Sequence, residues 1–293
     1  MDLEKLLQSI NIVEQKPGPN RRIANLAYHS GKVNKDTLFV CIKGFKTDGH
    51  LYLKQAEDNG AVAAIVEEVQ EDVDIPQYRV ANSREALAAL ADCFYNHPSK
   101  SFRLTGVTAT NGKTTTTYMI HSILQEHGLN TGLIGTVIVK TGKKLIAAEL
   151  TTPESLDLQS YFHEMKEEGV THAVMEVSSS GLDLKRVHNT DFDIVVVNNI
   201  SREHIDLHGS FEDYFQTKAS LAREAKQDSW AVFNLDCPYT APLAGETRAN
   251  TFTYGVKNDE ADCVVRDLDL STGRAHFKVE LLYKKPASLF ADQ

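Results

Sequence analysis

The residues best suited to carry chemistry lie in the run GVTATNGKTTTT at positions 106–117. An apolar stretch at 102–107 leads into it, and apolar residues at helical spacing follow it until Gly128. A strand, a glycine-containing loop and a helix that begins at Lys-Thr together bind nucleotide phosphates, because backbone N–H groups and the helix N-terminus point at phosphate oxygens. We therefore expect Lys113 to contact the terminal phosphates of ATP and the Thr114 hydroxyl to bind Mg²⁺.

The run departs from the strict spacing G-x-x-x-x-G-K-[ST], because the first glycine would fall at Val107 and stands at Gly106. A Gly-Lys-Thr helix start that binds no nucleotide is therefore the alternative interpretation. If the loop does bind ATP, the residues expected to contact it are Thr110, Asn111, Gly112, Lys113, Thr114 and Thr115.

Composition limits the classes of protein to consider. The 293 residues suffice for two domains, and the net charge of −9 argues against a protein that binds a nucleic-acid backbone. No apolar run reaches membrane-spanning length, and residues 1–7 begin a short amphipathic helix rather than a signal peptide. We expect a soluble, cytoplasmic protein without membrane insertion. Its cysteines are too far apart for a zinc site or a disulfide framework: Cys41, Cys93, Cys237 and Cys263.

The first hundred residues carry an α/β pattern of their own. The sequence predicts strands at 37–42 and 61–66 and helices at 51–59 and 84–95. The segment His97-Pro98-Ser99 ends the last of these helices. We place the domain boundary there, which divides the chain into residues 1–98 and 99–293.

Strands and helices alternate in the second part as well. Such alternation favours an α/β fold with a mostly parallel sheet, in which ligands bind beyond the carboxyl ends of the strands. The chemically promising residues follow strand ends: Lys113 and Thr114, Glu176, and the segment 198–208. The predicted strands are 102–107, 172–177, 192–198 and 230–235, and the predicted helices are 155–168 and 211–225.

Each further candidate also has a plain structural interpretation. Glu176 is a carboxylate at a strand end and suits Mg²⁺, yet taken alone it also suits a solvated acid. His204 and His208 have the i, i+4 spacing of metal ligands, but their segment equally suits a polar surface loop, and we do not expect zinc. Lys218 lies on an amphipathic helix, where the pattern alone predicts a solvated side chain.

Polar loop residues in the first domain leave the same choice open. Ser30, the turn at 43–44 and the segment 47–50 could bind a polar ligand, or they could serve only as turns.

Taken together, these motifs resemble the Mur ligases, and most closely those that synthesise UDP-N-acetylmuramoyl-tripeptide. The similarity extends from about residue 23 to residue 254 and keeps the order of the motifs. Its parts are the loop 108–114, TTPE at 151–154, MEVSS at 175–179, the segment 199–209, the helix with Tyr214 and Lys218, and the N-terminal pattern LFV…G…DGH at 38–50.

The resemblance implies a role for each matching residue. Lys113 would contact the β- and γ-phosphates, and Thr114 with Glu176 would hold one Mg²⁺. His204 would bind a second Mg²⁺, assisted by Lys218 carrying a carbamate. Carbamate formation needs a neutral amine, so burial would have to lower the pKa of Lys218. Ser30 is implied to bind the UDP moiety. The residues implied for the muramoyl-peptide are Thr151, Thr152, Ser178 and Arg186.

The implied reaction is ATP-dependent amide formation in peptidoglycan synthesis. The acceptor would be UDP-N-acetylmuramoyl-L-alanyl-D-glutamate, whose terminal carboxylate would attack the γ-phosphate of ATP to give an acyl phosphate. The amine of an amino acid would then displace phosphate and form the amide. Family members continue into a Rossmann-like C-terminal domain that binds the amino acid. We expect that domain to be absent here, so that the chain alone would not be a competent ligase.

Two alternatives remain at this stage. The first is a folylpolyglutamate or cyanophycin synthetase, which would share the phosphate loop, although the N-terminal pattern favours a nucleotide-sugar ligand. The second alternative is a non-catalytic remnant that binds nucleotide-sugar and ATP. The sequence also departs from the family at Ala109, where glycine is usual, at Ser180, where histidine is frequent, and at Glu203, where aspartate is common.

Overall fold

The computed structural model describes residues 1–16, 18–44, 47–202 and 209–282. They form an α/β protein with one five-stranded and one ten-stranded sheet. The smaller sheet has the order β1-β5-β4-β3-β2, in which only the β1–β5 pair is antiparallel. Its strands are β1 (Ile12–Lys16), β2 (Asn25–Ala27), β3 (Thr37–Val40), β4 (Ala61–Val66) and β5 (Gln77–Val80), and the helices around it are α1 (Leu3–Leu7), α2 (Leu53–Asp58) and α3 (Ser83–Phe94).

Continuous apolar runs in the smaller sheet are covered on both faces. On β3, Leu38 packs in the same cluster as Leu87 of α3, whereas Phe39 packs in the cluster that contains Leu53 of α2. Successive side chains of a strand point to opposite faces, so a run buried throughout requires a helix on each side. The start of α3 is fixed by Asn82, whose side chain accepts hydrogen bonds from two backbone N–H groups of the first turn.

The larger sheet carries the predicted strand–helix alternation. Its order is β15-β14-β13-β12-β11-β6-β10-β7-β8-β9, with parallel pairing from β14 through to β7 and antiparallel hairpins at both ends. The strands are β6 (Arg103–Thr108), β7 (Thr131–Ile134), β8 (Ile138–Thr141), β9 (Lys144–Ala147), β10 (His172–Glu176), β11 (Ile194–Val197), β12 (Trp230–Asn234), β13 (Asn250–Gly255), β14 (Cys263–Asp269) and β15 (His276–Leu281). The helices are α4 (Lys113–Glu126), α5 (Ser155–Glu167), α6 (Ser179–Asp183) and α7 (Phe211–Arg223).

Strand register brings three strand ends to one edge of the larger sheet. Glu176 of β10 pairs with Val107 of β6, and Val197 of β11 pairs with Thr108 of β6. The loops that follow these strands therefore start side by side. This is the edge at which parallel α/β sheets bind their ligands.

The fold class predicted from the sequence is confirmed, and most predicted elements agree with the structure to within one or two residues. The strand predicted at 61–66 is β4, and that predicted at 192–198 is the shorter β11. The helix predicted at 51–59 begins as a 3-10 turn over Gly49–Tyr52 before α2. The boundary after residue 98 stays a prediction. Within the described ranges, no helix is both long and apolar enough to span a bilayer.

The two parts of the chain are joined by polar contacts as well as by packing of α3 against α5. The Tyr28 hydroxyl donates a hydrogen bond of 2.5 Å to Asp157 in the first turn of α5. Arg84 at the start of α3 forms an ion pair of 3.0 Å with Glu154, which precedes α5. Burial, and then the hydrogen bond to Asp157, raises the pKa of Tyr28 well above its usual value, so this hydroxyl keeps its proton as a donor.

Candidate active site

The phosphate loop, residues 108–114, runs from the end of β6 into the first turn of α4. Gly112 has a φ of +85°, in the left-handed region that glycine adopts most readily. Gly106 has another role, because a Cβ at this position would lie 2.6 Å from the Phe192 ring. Ala109 has no positive φ, so alanine in place of the usual glycine leaves the backbone unstrained.

The loop after β11 holds the phosphate loop in place. The Thr110 N–H donates to the carbonyl oxygen of Asn199 at 2.8 Å, and the Asn199 side chain exchanges two hydrogen bonds with the Asn111 backbone. The buried Thr110 hydroxyl lies 3.0 Å from the Tyr214 hydroxyl of α7 and accepts from the Ser201 N–H. The hydroxyl and the backbone N–H of Thr110 thus both have partners within the protein, which fix this residue relative to the loop after β11.

Two lysines converge on one carbonyl oxygen of the phosphate loop. The Nζ atoms of Lys113 and Lys218 each donate to the Ala109 oxygen at 2.9 Å. Lys218 is only 1% exposed, so the interpretation of it as a solvated lysine is wrong. Burial, and then the nearby Lys113 charge, lowers the pKa of Lys218 to about 7. An uncharged amine is thus accessible at neutral pH.

A carboxylate and a hydroxyl meet beside the start of α4. Thr114 Oγ1 donates to Glu176 Oε2 at 3.0 Å, and the Thr136 N–H donates to Oε1 at 2.8 Å. Glu176 is 1% exposed, which rules out the interpretation as a solvated acid. The space beside it exists because residue 135 is glycine, where a Cβ would lie 2.4 Å from Glu176 Oε1.

These two oxygen-bearing side chains fit a hard cation. Mg²⁺ takes oxygen ligands and is held in nucleotide sites by one or two carboxylates together with substrate phosphates and water. The contacts of Glu176 with Thr114 and Thr136 come from neutral donors, so its negative charge suits a cation. Over the described ranges, no three His, Cys, Asp or Glu side chains form a metal cluster. A site that completes its coordination with nucleotide phosphates agrees with this arrangement.

The residues expected to hold an acceptor peptide are connected to Glu176 by hydrogen bonds. The Thr151 hydroxyl is 3.0 Å from that of Thr136, which in turn donates to Glu176. The Thr152 hydroxyl donates to the Glu176 carbonyl oxygen and accepts from the Ser178 N–H. Arg186 donates to the Thr152 carbonyl oxygen at 3.1 Å. Thr151, Thr152, Ser178 and Arg186 thus form one connected set with the proposed metal ligand.

Ser30 lies in the smaller sheet's part of the chain and is not among these residues. Its hydroxyl donates to Gln55 at 2.8 Å, and its carbonyl oxygen accepts from Asn59. The nearby segment 47–50 has a structural function: His50 contacts Asp48 through Nδ1 at 2.6 Å and accepts the Glu67 N–H at Nε2. With both ring nitrogens used, His50 serves the loop rather than a ligand.

Three residues singled out in the sequence lie outside the described part of the chain, and three residues that support the site were not predicted from the sequence. His204, His208 and Glu203 fall within 203–208, outside the described residues. Ser180 lies 3.2 Å from Ser178 through the two hydroxyls. Sequence reasoning from the residues missed Thr136, Asn199 as a support of the loop, and Glu154 as an ion-pair partner. Glu154 had a signal in the TTPE motif and Asn199 in the segment 199–209, whereas Thr136 had none.

Comparison with known proteins agrees with this geometry. The Mur ligase middle domain matches residues 107–288, and the Mur ligase family catalytic domain matches residues 22–95. The UDP-N-acetylmuramoyl-L-alanyl-D-glutamate–2,6-diaminopimelate ligase of Caldanaerobacter subterraneus subsp. tengcongensis is 41% identical over 97% of this chain and 58% of the relative. The enzyme of the same name from Bacillus velezensis is 42% identical over 88% of this chain and 53% of the relative.

A solved structure gives the same result. The structure of a UDP-N-acetylmuramoyl-L-alanyl-D-glutamate–2,6-diaminopimelate ligase superposes with a TM-score of 0.79 at 25% identity, over 95% of this chain and 57% of that one. The chain therefore spans somewhat more than half the length of the relatives it matches. On the strength of both domain matches and these relatives, the chain belongs to the Mur ligase family.

Proposed function

We propose that this chain forms the acceptor- and ATP-binding part of a UDP-N-acetylmuramoyl-L-alanyl-D-glutamate–2,6-diaminopimelate ligase that acts in the cytoplasm. The curated relatives above carry that name. They continue well beyond the matched region, so the site for the incoming amino acid would lie in sequence that this chain does not match. The acceptor peptide and ATP are the substrates that the described residues suit.

One observation carries the proposal: the convergence of Lys113, Thr114, Glu176 and Lys218 at adjoining strand ends. Lys113 supplies a cation at the entry to α4, where backbone N–H groups also favour phosphate. Thr114 and Glu176 supply the oxygen ligands for Mg²⁺ beside it. A helix start alone would not require a buried carboxylate and a buried lysine as well.

Each of these residues has a defined task in amide formation. The phosphate loop would orient the γ-phosphate, and Lys113 would leave the Ala109 oxygen to neutralise charge on the transferring phosphoryl group. Thr114 and Glu176 would hold Mg²⁺, which when bound would supply positive charge that offsets the negative charge of the phosphates. Thr151, Thr152 and Ser178 would hold the acceptor so that its terminal carboxylate reaches the γ-phosphate. Positioning and electrostatics supply most of the catalysis in such a reaction.

Lys218 is proposed to act as a carbamate. Its neutral amine would form an N–C bond to CO₂ and release one proton to water, which leaves an anionic carbamate. The carbamate oxygens, together with His204, would be ligands for a second cation. The lowered pKa of Lys218 supports this step, because only an uncharged amine attacks CO₂. The same modification would place a negative charge near Lys113, whose proximity disfavours a protonated Lys218.

A ligand panel tests the assignment. We expect UDP-N-acetylmuramoyl-L-alanyl-D-glutamate to raise the melting temperature of the chain and dihydropteroate or folate to leave it unchanged, because a ligand stabilises the fold that binds it. Stabilisation by the folates and not by the UDP-sugar would contradict the proposal and favour a folylpolyglutamate synthetase.

A further inference from the structure

We propose that Glu154 is a positioning residue. Its carboxylate orients Arg186 toward the acceptor peptide and, through Arg84, fixes Arg186 relative to the N-terminal part of the chain. This inference rests on the function proposed above and adds a residue to its acceptor site. It concerns a residue whose carboxylate sits between two arginines from different parts of the fold.

The geometry of Glu154 is that of a bridge. Its Oε1 accepts from Arg186 Nε at 3.0 Å and lies 2.9 Å from Arg186 Nη2, while its Oε2 pairs with Arg84 Nη1 at 3.0 Å. All three side chains are largely buried. An arginine that meets a carboxylate through two nitrogens has its planar guanidinium fixed in orientation, which a single contact would not achieve.

The bridge continues to the proposed catalytic residues. Arg186 Nη1 donates to the Thr152 carbonyl oxygen at 3.1 Å, and the Thr152 hydroxyl donates to the carbonyl oxygen of Glu176 at 2.9 Å. Glu154 therefore stands at the end of a continuous chain of contacts to the proposed Mg²⁺ ligand. Moving its carboxylate would move Arg186 and the Thr152 backbone with it.

The other end of the bridge reaches the N-terminal part. Arg84 lies in the first turn of α3 and also donates to the carbonyl oxygen of Lys43 at 3.3 Å. In parallel, Tyr28, two residues before Ser30, binds Asp157 one helical turn after Glu154. The residues proposed for the UDP end and the peptide end of the acceptor are thus linked through the same short segment, 154–157.

The charge of the cluster also suits an anionic ligand. Two arginines share one glutamate, which leaves a net charge of +1 in a largely buried place. A buried charge without a partner is unfavourable, and an acceptor that carries carboxylates would supply the missing negative charge. In the absence of Glu154, two arginines would face each other without compensation.

Isothermal titration calorimetry on the whole chain tests the inference with two ligands. We expect Glu154→Gln to bind UDP-N-acetylmuramoyl-L-alanyl-D-glutamate at least about tenfold more weakly and to bind UDP as the unmodified chain does. Glu154→Asp should recover part of the loss. The matched control is Glu164→Gln on α5, the helix that follows Glu154. Its pair with Lys144 lies outside the cluster, so the substitution should change neither affinity.

Arg84→Gln provides a second variant should Glu154→Gln not fold. It should weaken acceptor binding by a smaller factor, because the Arg186–Glu154 pair remains, and the double variant should bind no more weakly than Glu154→Gln alone. Unchanged acceptor affinity in these variants, or an equal loss for UDP, would overturn the inference. Failure of the unmodified chain to bind the acceptor would instead overturn the proposed function, and the inference with it.

Discussion

Lys113 and Lys218 donate to the same carbonyl oxygen, that of Ala109, each over 2.9 Å. Two ammonium groups beside one acceptor repel each other, and burial of Lys218 adds the cost of removing its charge from water. Both effects disfavour the protonated form of Lys218, whose pKa is lowered to about 7.

Lys218 should make the stability of the chain depend on pH. Its folded-state pKa of about 7 lies below its ordinary value of 10.5, so between these values the unfolded chain binds more protons and the free energy of unfolding rises with pH. Relative to Lys218→Met, the unmodified chain should gain about 1 to 2 kcal/mol between pH 6.5 and pH 8.5. Urea unfolding at the two pH values measures this difference.

The control for this prediction is Lys144→Met, which removes an exposed lysine whose pKa is raised by its hydrogen bond to Glu164. Lys144 keeps its proton between pH 6.5 and pH 8.5, so the difference in free energy of unfolding between the unmodified chain and Lys144→Met should not rise with pH. A constant difference between the unmodified chain and Lys218→Met would show that Lys218 does not titrate near pH 7.

Replacement of Lys113 should weaken nucleotide binding. A charge-assisted contact to phosphate contributes about 1.5 to 3 kcal/mol, so Lys113→Ala should bind Mg-ATP about 10- to 100-fold more weakly. Titration with Mg-ATP measures the loss, and Lys144→Ala serves as a control for the removal of a positive charge. Normal affinity in Lys113→Ala would contradict the assignment of the phosphate loop.

Glu176 should control the requirement for Mg²⁺ rather than nucleotide binding as such. Glu176→Gln keeps the size of the side chain and removes the charge that suits a cation. We expect the Mg²⁺ concentration for half-maximal ATP binding to rise about tenfold, with little change in ATP binding when Mg²⁺ is left out. Glu164→Gln is the matched control. An unaltered Mg²⁺ dependence in Glu176→Gln would exclude this residue as a ligand.

The two glycines of the motif should differ in what they tolerate. A Cβ at position 112 meets nothing within 4 Å, so Gly112→Ala should cost about 1 kcal/mol, through its φ of +85° alone. A Cβ at position 106 would lie 2.6 Å from the Phe192 ring, so Gly106→Ala should cost about 1 to 3 kcal/mol. Thermal unfolding of both variants measures the order, and a reversed order would contradict these roles.

The fold could be predicted from the sequence wherever a local pattern decides the structure. Buried runs such as β4 and strand–loop–helix units such as β6–α4 have strong periodicity, so their type and extent were accessible. The 3-10 turn before α2, which Asp48 caps, and the hairpins at the ends of the larger sheet are local features that were not predicted. The exposure of individual side chains was not accessible either: Met119 and Ile123 share helical spacing with Ile120 and Leu124 yet are 62% and 69% exposed.

The site was predictable where residue type and order suffice. Lys113, Thr114 and Glu176 each follow a strand, and parallel pairing places strand ends together. The burial of Lys218 depends on how α7 packs against the phosphate loop, which no pattern within that helix specifies. Glu154 likewise acquires its proposed role only when the fold brings two arginines to it, Arg84 from α3 and Arg186 from the segment after α6.

The central claim is that one chain binds both ATP and a muramoyl-peptide acceptor at the joined strand ends. Calorimetric titration of UDP-N-acetylmuramoyl-L-alanyl-D-glutamate, with and without Mg-ATP, tests it most directly. We expect saturable binding of one acceptor per chain in both conditions, and loss of the acceptor signal in Arg186→Ala. A folded sample that binds neither Mg-ATP nor the acceptor would contradict the claim.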